Sequence, residues 1–239
     1  MNLQDETEGH ALSEVIGELP AELSVVVPCF NERENIPLLL VALSQVLKDI
    51  RWEVIFIDDD SPDGTAELAR QYAGRDSRVR CIQRIGRRGL SSATVEGMLS
   101  SSAPYVAVMD ADLQHDERLL PQMLEVLRSG DWELVVGSRY VQGGSSGQLN
   151  ASRLKISRMA CSLAERVLKV KLADPMSGFF MLRRDLIRRT IPRVSGCGFK
   201  ILLDIIASAD REVRVRELPY SMRARAHGDS KLDAAITLE

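Results

Sequence analysis

The 239-residue sequence predicts an α/β fold with a Rossmann-like, mostly parallel sheet and helices on both faces. Three observations predict it. Short β-branched runs recur with helical stretches between them. The runs are apolar on both faces, as strands covered by two helix layers must be. Three of them end in polar, acidic segments, at the carboxyl edge where such sheets bind ligands.

The elements follow in order. Residues 1–21 are acidic and polar with little periodicity, which reads as a mobile tail before the fold begins. The strands are Ser24–Pro28, Trp52–Asp58, Val79–Ile82, Tyr105–Asp110 and Glu133–Gly137, with helices over Ile36–Ile50, Thr65–Ala73 and Leu119–Ser129. Gln142–Gly147 is a Gly/Ser-rich loop, and a helix over Arg153–Val170 follows it, with Arg, Lys and Ser on its early turns. A strand near Phe179–Leu182, a helix near Phe199–Ala209 and a strand near Val213–Leu218 complete the pattern, and Arg223–Lys231 is a basic loop. The sequence carries no internal repeat. One domain over residues 22–232 accounts for all of this.

Composition narrows the function. With 45% hydrophobic residues the chain can bury a full core, and a formal net charge of -3 gives no global attraction to nucleic acid or anionic membrane. Any anion site must therefore be built locally. Cys29, Cys81, Cys161 and Cys197 are scattered, without zinc-ligand spacing or a disulfide framework, which fits a reducing setting. No apolar run approaches the roughly 20 residues that span a bilayer, and no signal-peptide pattern opens the chain, so it reads as soluble as given.

The acidic strand ends carry the chemistry. Strand one closes in Pro28–Glu32, strand two in Asp58–Asp63 and strand four in Asp110–Gln114. Two aspartates at i and i+2 just past a buried strand can turn toward one hard cation, and a Gln carbonyl at i+4 can add a third oxygen. Oxygen ligands favour Mg²⁺ or Mn²⁺, and such an ion would neutralise a departing diphosphate without proton transfer. Phe56 and Asp58 share a strand face, where they are either an apolar wall and carboxylate against a nucleobase or, for Phe56, plain core. Asp59, Asp60 and Asp63 belong to a Ser-Pro-Asp-Gly turn and are assigned to structure. His115 is expected in a supporting or surface position. Asp174–Gly178 is expected to cap and turn into the following strand.

Five ordered motifs then resemble glycosyltransferase family 2, most closely its polyprenyl-phosphate mannose synthases: Val26–Asn35, Ile57–Thr65, Met109–His115, Gly137–Tyr140 and His227–Leu232. The resemblance covers about Leu23–Leu232 and implies a GT-A fold. It implies that Pro28, Phe30, Glu32 and Asp58 line a nucleotide pocket, and that Asp110, Asp112 and Gln114 hold the metal with Ala111 beside the diphosphate. Arg225 and Lys231 would reach the donor phosphates, and Arg139, Arg153 and Ser157 would cradle the acceptor phosphate. Asp112 and Arg139 are thus the expected catalytic residues. Two positions depart from the family pattern: Asp60 stands where relatives carry a small turn residue, and Phe30 where many carry Tyr.

The implied reaction is inverting transfer of a hexose, first of all mannose from GDP-mannose, to a dolichyl or undecaprenyl phosphate. A lipid phosphate is already anionic, so it needs positioning by arginine forks more than a general base. UDP-glucose as donor, or a saccharide acceptor, are the alternatives. The latter would need a carboxylate base and would leave Arg139 and Arg153 without a role. A receiver-like binding module would be shorter and would not use Gly137–Arg139 or the basic loop. A nicotinamide-binding fold is disfavoured because no G-x-G-x-x-G follows strand one. The acceptor implies work at the cytoplasmic face of a membrane. The apolar pattern beginning in residues 233–239 suggests a link to membrane segments of a longer protein.

Overall fold

The computed structural model describes residues 20–145 and 171–227. Its elements in chain order are β1 (Leu23–Cys29), α1 (Asn35–Val46), β2 (Trp52–Asp58), α2 (Thr65–Ala73), β3 (Val79–Gln83), α3 (Leu90–Ser100), β4 (Tyr105–Val108), α4 (Leu120–Arg128), β5 (Leu134–Ser138), β6 (Phe180–Arg183), α5 (Arg184–Thr190), α6 (Ile201–Ala207) and β7 (Val215–Pro219). The expected strands and helices over these residues are present, with ends shifted by a few residues. Helices α3 and α5 were not foreseen. The helix expected over Arg153–Val170 lies outside the described residues.

All seven strands form one sheet, in the order β3-β2-β1-β4-β6-β5-β7. β1 lies parallel to β2 and β4, while β6 runs antiparallel to both β4 and β5. The sheet is therefore mixed on one half and parallel on the other. Where β5 meets the start of β6 the backbones come close: a Cβ on Gly137 would lie 2.7 Å from the Phe179 ring. Only glycine fits there.

Period-two alternation sends neighbouring residues to opposite sides. Val25 and Val27 of β1, with Phe56 of β2, pack under α1, α2 and α4, against Leu39, Leu43, Met123 and Leu127. Val26 and Ile57 pack on the other side, under α3, α5 and α6, with Ile187, Ile201 and Ile205. Two continuous cores thus sandwich the sheet, and each fully buried large side chain contributes about 1.5–3 kcal/mol. α3 approaches closest at Gly97, where a Cβ would lie 2.3 Å from Val26 Cγ1.

Candidate active site

The carboxyl ends of β1, β2 and β4 gather the acidic segments on one edge, as the strand pattern required. β4 ends at Val108, and the chain turns through Asp110, Ala111 and Asp112 to Leu113, whose φ of 62° is left-handed. That unusual backbone reverses the chain within two residues and brings Asp112 and Gln114 side by side. The Asp112 carboxylate accepts from the Gln114 N–H at 3.1 Å.

The basic loop after β7 closes over this turn. Arg223 N–H donates to the Gln114 carbonyl at 3.0 Å, Ala226 N–H to the Asp112 carbonyl at 3.2 Å, and the Gln114 side-chain amide to the Arg223 carbonyl at 3.2 Å. The Arg223 guanidinium forks onto Asp116 and Glu117 at 2.5 and 2.7 Å. Arg225 goes to the centre. Its Nη2 lies 3.0 Å from Asp112 Oδ2 and 3.3 Å from Gln114 Oε1, so two of the three expected metal ligands converge on one positively charged nitrogen. His227 ties the loop to the start of α1, its carbonyl accepting from Asn35 and its ring 3.3 Å from Glu34.

Negative charge at this turn is costly even beside Arg225. Burial pushes the Asp112 carboxyl above the usual carboxylate range, and the neighbouring Asp110 charge pushes the same way. Asp110 itself keeps 43% of its side chain exposed. Among the described residues no three His, Cys, Asp or Glu side chains converge on a point. Two carboxylates and one amide suit an ion that completes its shell with substrate phosphate oxygens.

His115 is not at the surface, one of the two positions expected for it. It is buried, stacked on Phe179 with centroids 5.0 Å apart, edge-on to Tyr220, and its Nδ1 accepts the Asp110 N–H at 3.1 Å. Burial lowers its pKa to about 4, so the ring is neutral and holds the backbone of the turn. Its supporting role is the one the geometry favours.

The segment after β2 is organised differently. Asp58 is fully buried, and its two oxygens accept from the Ser61 N–H and hydroxyl at 2.9 and 2.5 Å. Asp63 takes the Thr65 N–H and hydroxyl and so closes a local turn leading into α2, whose N-cap is Gly64. Asp60, at φ 57°, accepts from Gln83 and from the Gly86 N–H. Asp59 pairs with the buried Arg84 at 2.7 Å and accepts the Gly89 N–H at 2.7 Å. The turn assignment of Asp59, Asp60 and Asp63 therefore stands. Phe56 corrects the nucleobase reading: it is wholly buried among core residues and offers no surface to a ligand. Pro28, Ala111 and Glu32 are buried at the same edge, Glu32 accepting from Asn35 at 2.6 Å. Phe30 is half-buried beneath the Arg88 guanidinium, 4.2 Å from its ring centroid. That cation–π contact was not foreseen, and only the length of the Arg84–Gly89 loop hinted at it.

Arg139 is held firmly, and by an unexpected partner. Its Nε and Nη2 fork onto the carboxylate of Asp174 at 2.8 Å each, and its N–H reaches the same group at 3.2 Å. Asp174 is fully buried, so one edge of the guanidinium is engaged within the protein. The Asp174–Gly178 segment this anchors does turn into β6, with Ser177 Oγ donating to the Gly137 carbonyl at 2.7 Å. It also forms one wall of a cleft beside Asp110, whose other walls include Pro28, Thr94 and Lys200. Arg153, Ser157 and Lys231 lie outside the described residues.

A doubly wound sheet with a paired-aspartate turn after its fourth strand, closed by a distant basic loop, is the architecture of the GT-A fold. The model for Glycosyl transferase family 2 matches residues 24–191, and the chain belongs to that family. It is similar to the dolichol-phosphate mannosyltransferases of Pyrococcus furiosus, at 36% identity over 91% of this chain, and of Saccharomyces cerevisiae, at 36% over 91%. It spans 61% of the length of the first and 84% of the second. Among solved structures, glucosyl-3-phosphoglycerate synthase from Mycobacterium tuberculosis, in complex with Mn²⁺, uridine diphosphate and glucosyl-3-phosphoglycerate, aligns with a TM-score of 0.63. The alignment has 21% identity and covers 87% of this chain and 73% of that one, a likeness of fold.

Proposed function

We propose that the chain catalyses inverting transfer of mannose from GDP-mannose to a polyprenyl phosphate at a membrane surface, with Mg²⁺ or Mn²⁺ at Asp110, Asp112 and Gln114. The observation that carries this reading is the convergence of Asp112 and Gln114 on the Arg225 nitrogen. An oxygen set that gathers a guanidinium can gather a divalent ion. Two relatives at 36% identity bear the name dolichol-phosphate mannosyltransferase, which supports the sugar and the acceptor. Mn²⁺ and uridine diphosphate in a solved structure of similar fold support the metal.

When bound, the ion would neutralise the diphosphate as its bond to the sugar breaks. The protein's own groups do the rest. Arg225, which here bridges Asp112 and Gln114, is assigned to the donor phosphates, and Lys231 is assigned the same task. Phe30 and the Pro28–Glu32 segment border the nucleotide, at the edge where the fully buried Asp58 holds the turn after β2 rather than facing the ligand. The neutral His115 fixes the Asp110 backbone, so the carboxylate does not drift. The Arg139 edge not engaged by Asp174, together with Arg153 and Ser157, receives the acceptor phosphate, which needs no base. A single displacement inverts the sugar carbon. No helix among the described residues is long and apolar enough to cross a membrane, so the lipid acceptor is met at the surface or through further parts of a longer protein.

The test is a donor panel, GDP-mannose against UDP-glucose, with Mg²⁺ or Mn²⁺ and a short polyprenyl phosphate or an oligosaccharide as acceptor. The expected product is the inverted polyprenyl-phosphate mannose, formed only with metal. A retained anomer, or transfer to the oligosaccharide alone, would overturn the reading.

A further inference from the structure

The two sides of Asp110 differ. On the side of the α1/α4 layer the basic loop braces Asp112, Gln114, Asp116 and Glu34. On the side of the α3/α6 layer lies the cleft, bordered by Thr94, Met176, Phe199 and Lys200. In a single displacement the nucleophile approaches opposite the departing diphosphate. With Arg225 and the diphosphate on the first side, the acceptor must enter on the second.

With the ion at Asp110 assigned to the diphosphate, an anionic acceptor phosphate entering this cleft needs a cation of its own. Arg139 supplies only part of that charge, because Asp174 engages one edge of its fork. Lys200 lines the same cleft as Asp110, at the exposed start of α6. Its position is built rather than incidental. Ser195 and Gly196 donate three hydrogen bonds to the Asp204 carboxylate at 2.7–3.2 Å. The Gly198 carbonyl accepts from the Ser91 N–H at the start of α3. Gly196 and Gly198 both adopt left-handed φ, 65° and 71°, which folds this short loop back on itself. Phe199 and Lys200 are thereby delivered to the cleft, with the ammonium 5.2 Å from the Phe199 ring. Met176 and Phe199 offer apolar surface for the first isoprenoid unit, next to the ammonium that would take its phosphate.

We propose that this cleft is the entrance for the acceptor phosphate and that Lys200 is the cation that meets it. The proposal rests on the reading of the acceptor as a polyprenyl phosphate. The experiment compares the full chain with Lys200→Gln and Lys200→Arg, using a ten-carbon polyprenyl phosphate as the probe. The dissociation constant is measured with GDP and Mn²⁺ present, and KM and kcat are measured separately for donor and acceptor. Loss of one charge-assisted contact predicts a weakening of acceptor binding by about 10- to 100-fold in Lys200→Gln. Donor KM should stay within about twofold, and Lys200→Arg should recover most of the affinity, as expected of a charge-assisted contact. Unchanged acceptor binding in Lys200→Gln while the wild type turns over would overturn the role of Lys200 alone. A rise in donor KM with acceptor binding intact would reassign the cleft to the sugar. If the wild type neither binds nor uses the probe, the acceptor reading itself falls, and this inference with it.

Discussion

Asp58–Asp63 after β2 and Asp110–Asp116 after β4 flank the central strand β1 as near neighbours in composition. In the first segment every carboxylate is answered by groups no more than 30 positions along the chain: by Ser61, by Thr65, by Gln83 and Gly86, and by Arg84 with Gly89. In the second, Asp112 is buried beside another carboxylate and is answered by a guanidinium that arrives from more than a hundred residues away. The first is finished as a turn. The second is finished only by a loop, and its oxygens face a shared point. Like-composed acidic segments thus separate into structure and chemistry by where their hydrogen bonds come from.

Removing internally answered charges should therefore cost stability, and removing Asp112 should cost activity. The largest effect is expected for Asp59→Ala, which among the described residues leaves the buried Arg84 with Glu96, at 3.3 Å, as its acidic partner. Denaturant unfolding should show a loss of about 3–5 kcal/mol. Next comes Asp112→Ala. Turnover should fall about 100- to 1000-fold, as for other groups that stabilise charge in a transition state, with the melting temperature little changed. A large stability loss there would erase the distinction between the two segments.

Asp63→Ala removes the acceptor of the Thr65 N–H and hydroxyl at the start of α2 and should cost about 1 kcal/mol in thermal melts while leaving donor KM unaltered. The smallest effect is that of Arg118→Ala. Its side chain is 70% exposed on Asp116, and the change in unfolding free energy should lie within measurement error. A greater loss would mean that the Asp116–Arg223 brace depends on it.

Much of this was legible in the sequence, for identifiable reasons. Buried strands announce themselves by β-branched runs, and the acidic ends follow from the chain leaving the sheet. α3 was illegible because Leu90-Ser-Ser-Ala-Thr-Val-Glu-Gly-Met-Leu-Ser100 is rich in poor helix formers, and packing at Gly97 rather than propensity holds it. α5 is too short for a periodic signal. Phe56 could not be told from a ligand wall, because alternation gives a face and not what covers it. The Arg139–Asp174 fork and the Arg225 bridge join residues 35 and over a hundred positions apart, which no local spacing can reveal. Lys200 was invisible for the same reason.

The most direct test is Mn²⁺ binding, followed by the paramagnetic signal of the free ion with GDP present, in the wild type, Asp112→Ala and Asp63→Ala. The account predicts that Asp112→Ala abolishes binding and that Asp63→Ala keeps it at the wild-type level. Equal binding in all three, or loss in Asp63→Ala alone, would contradict it.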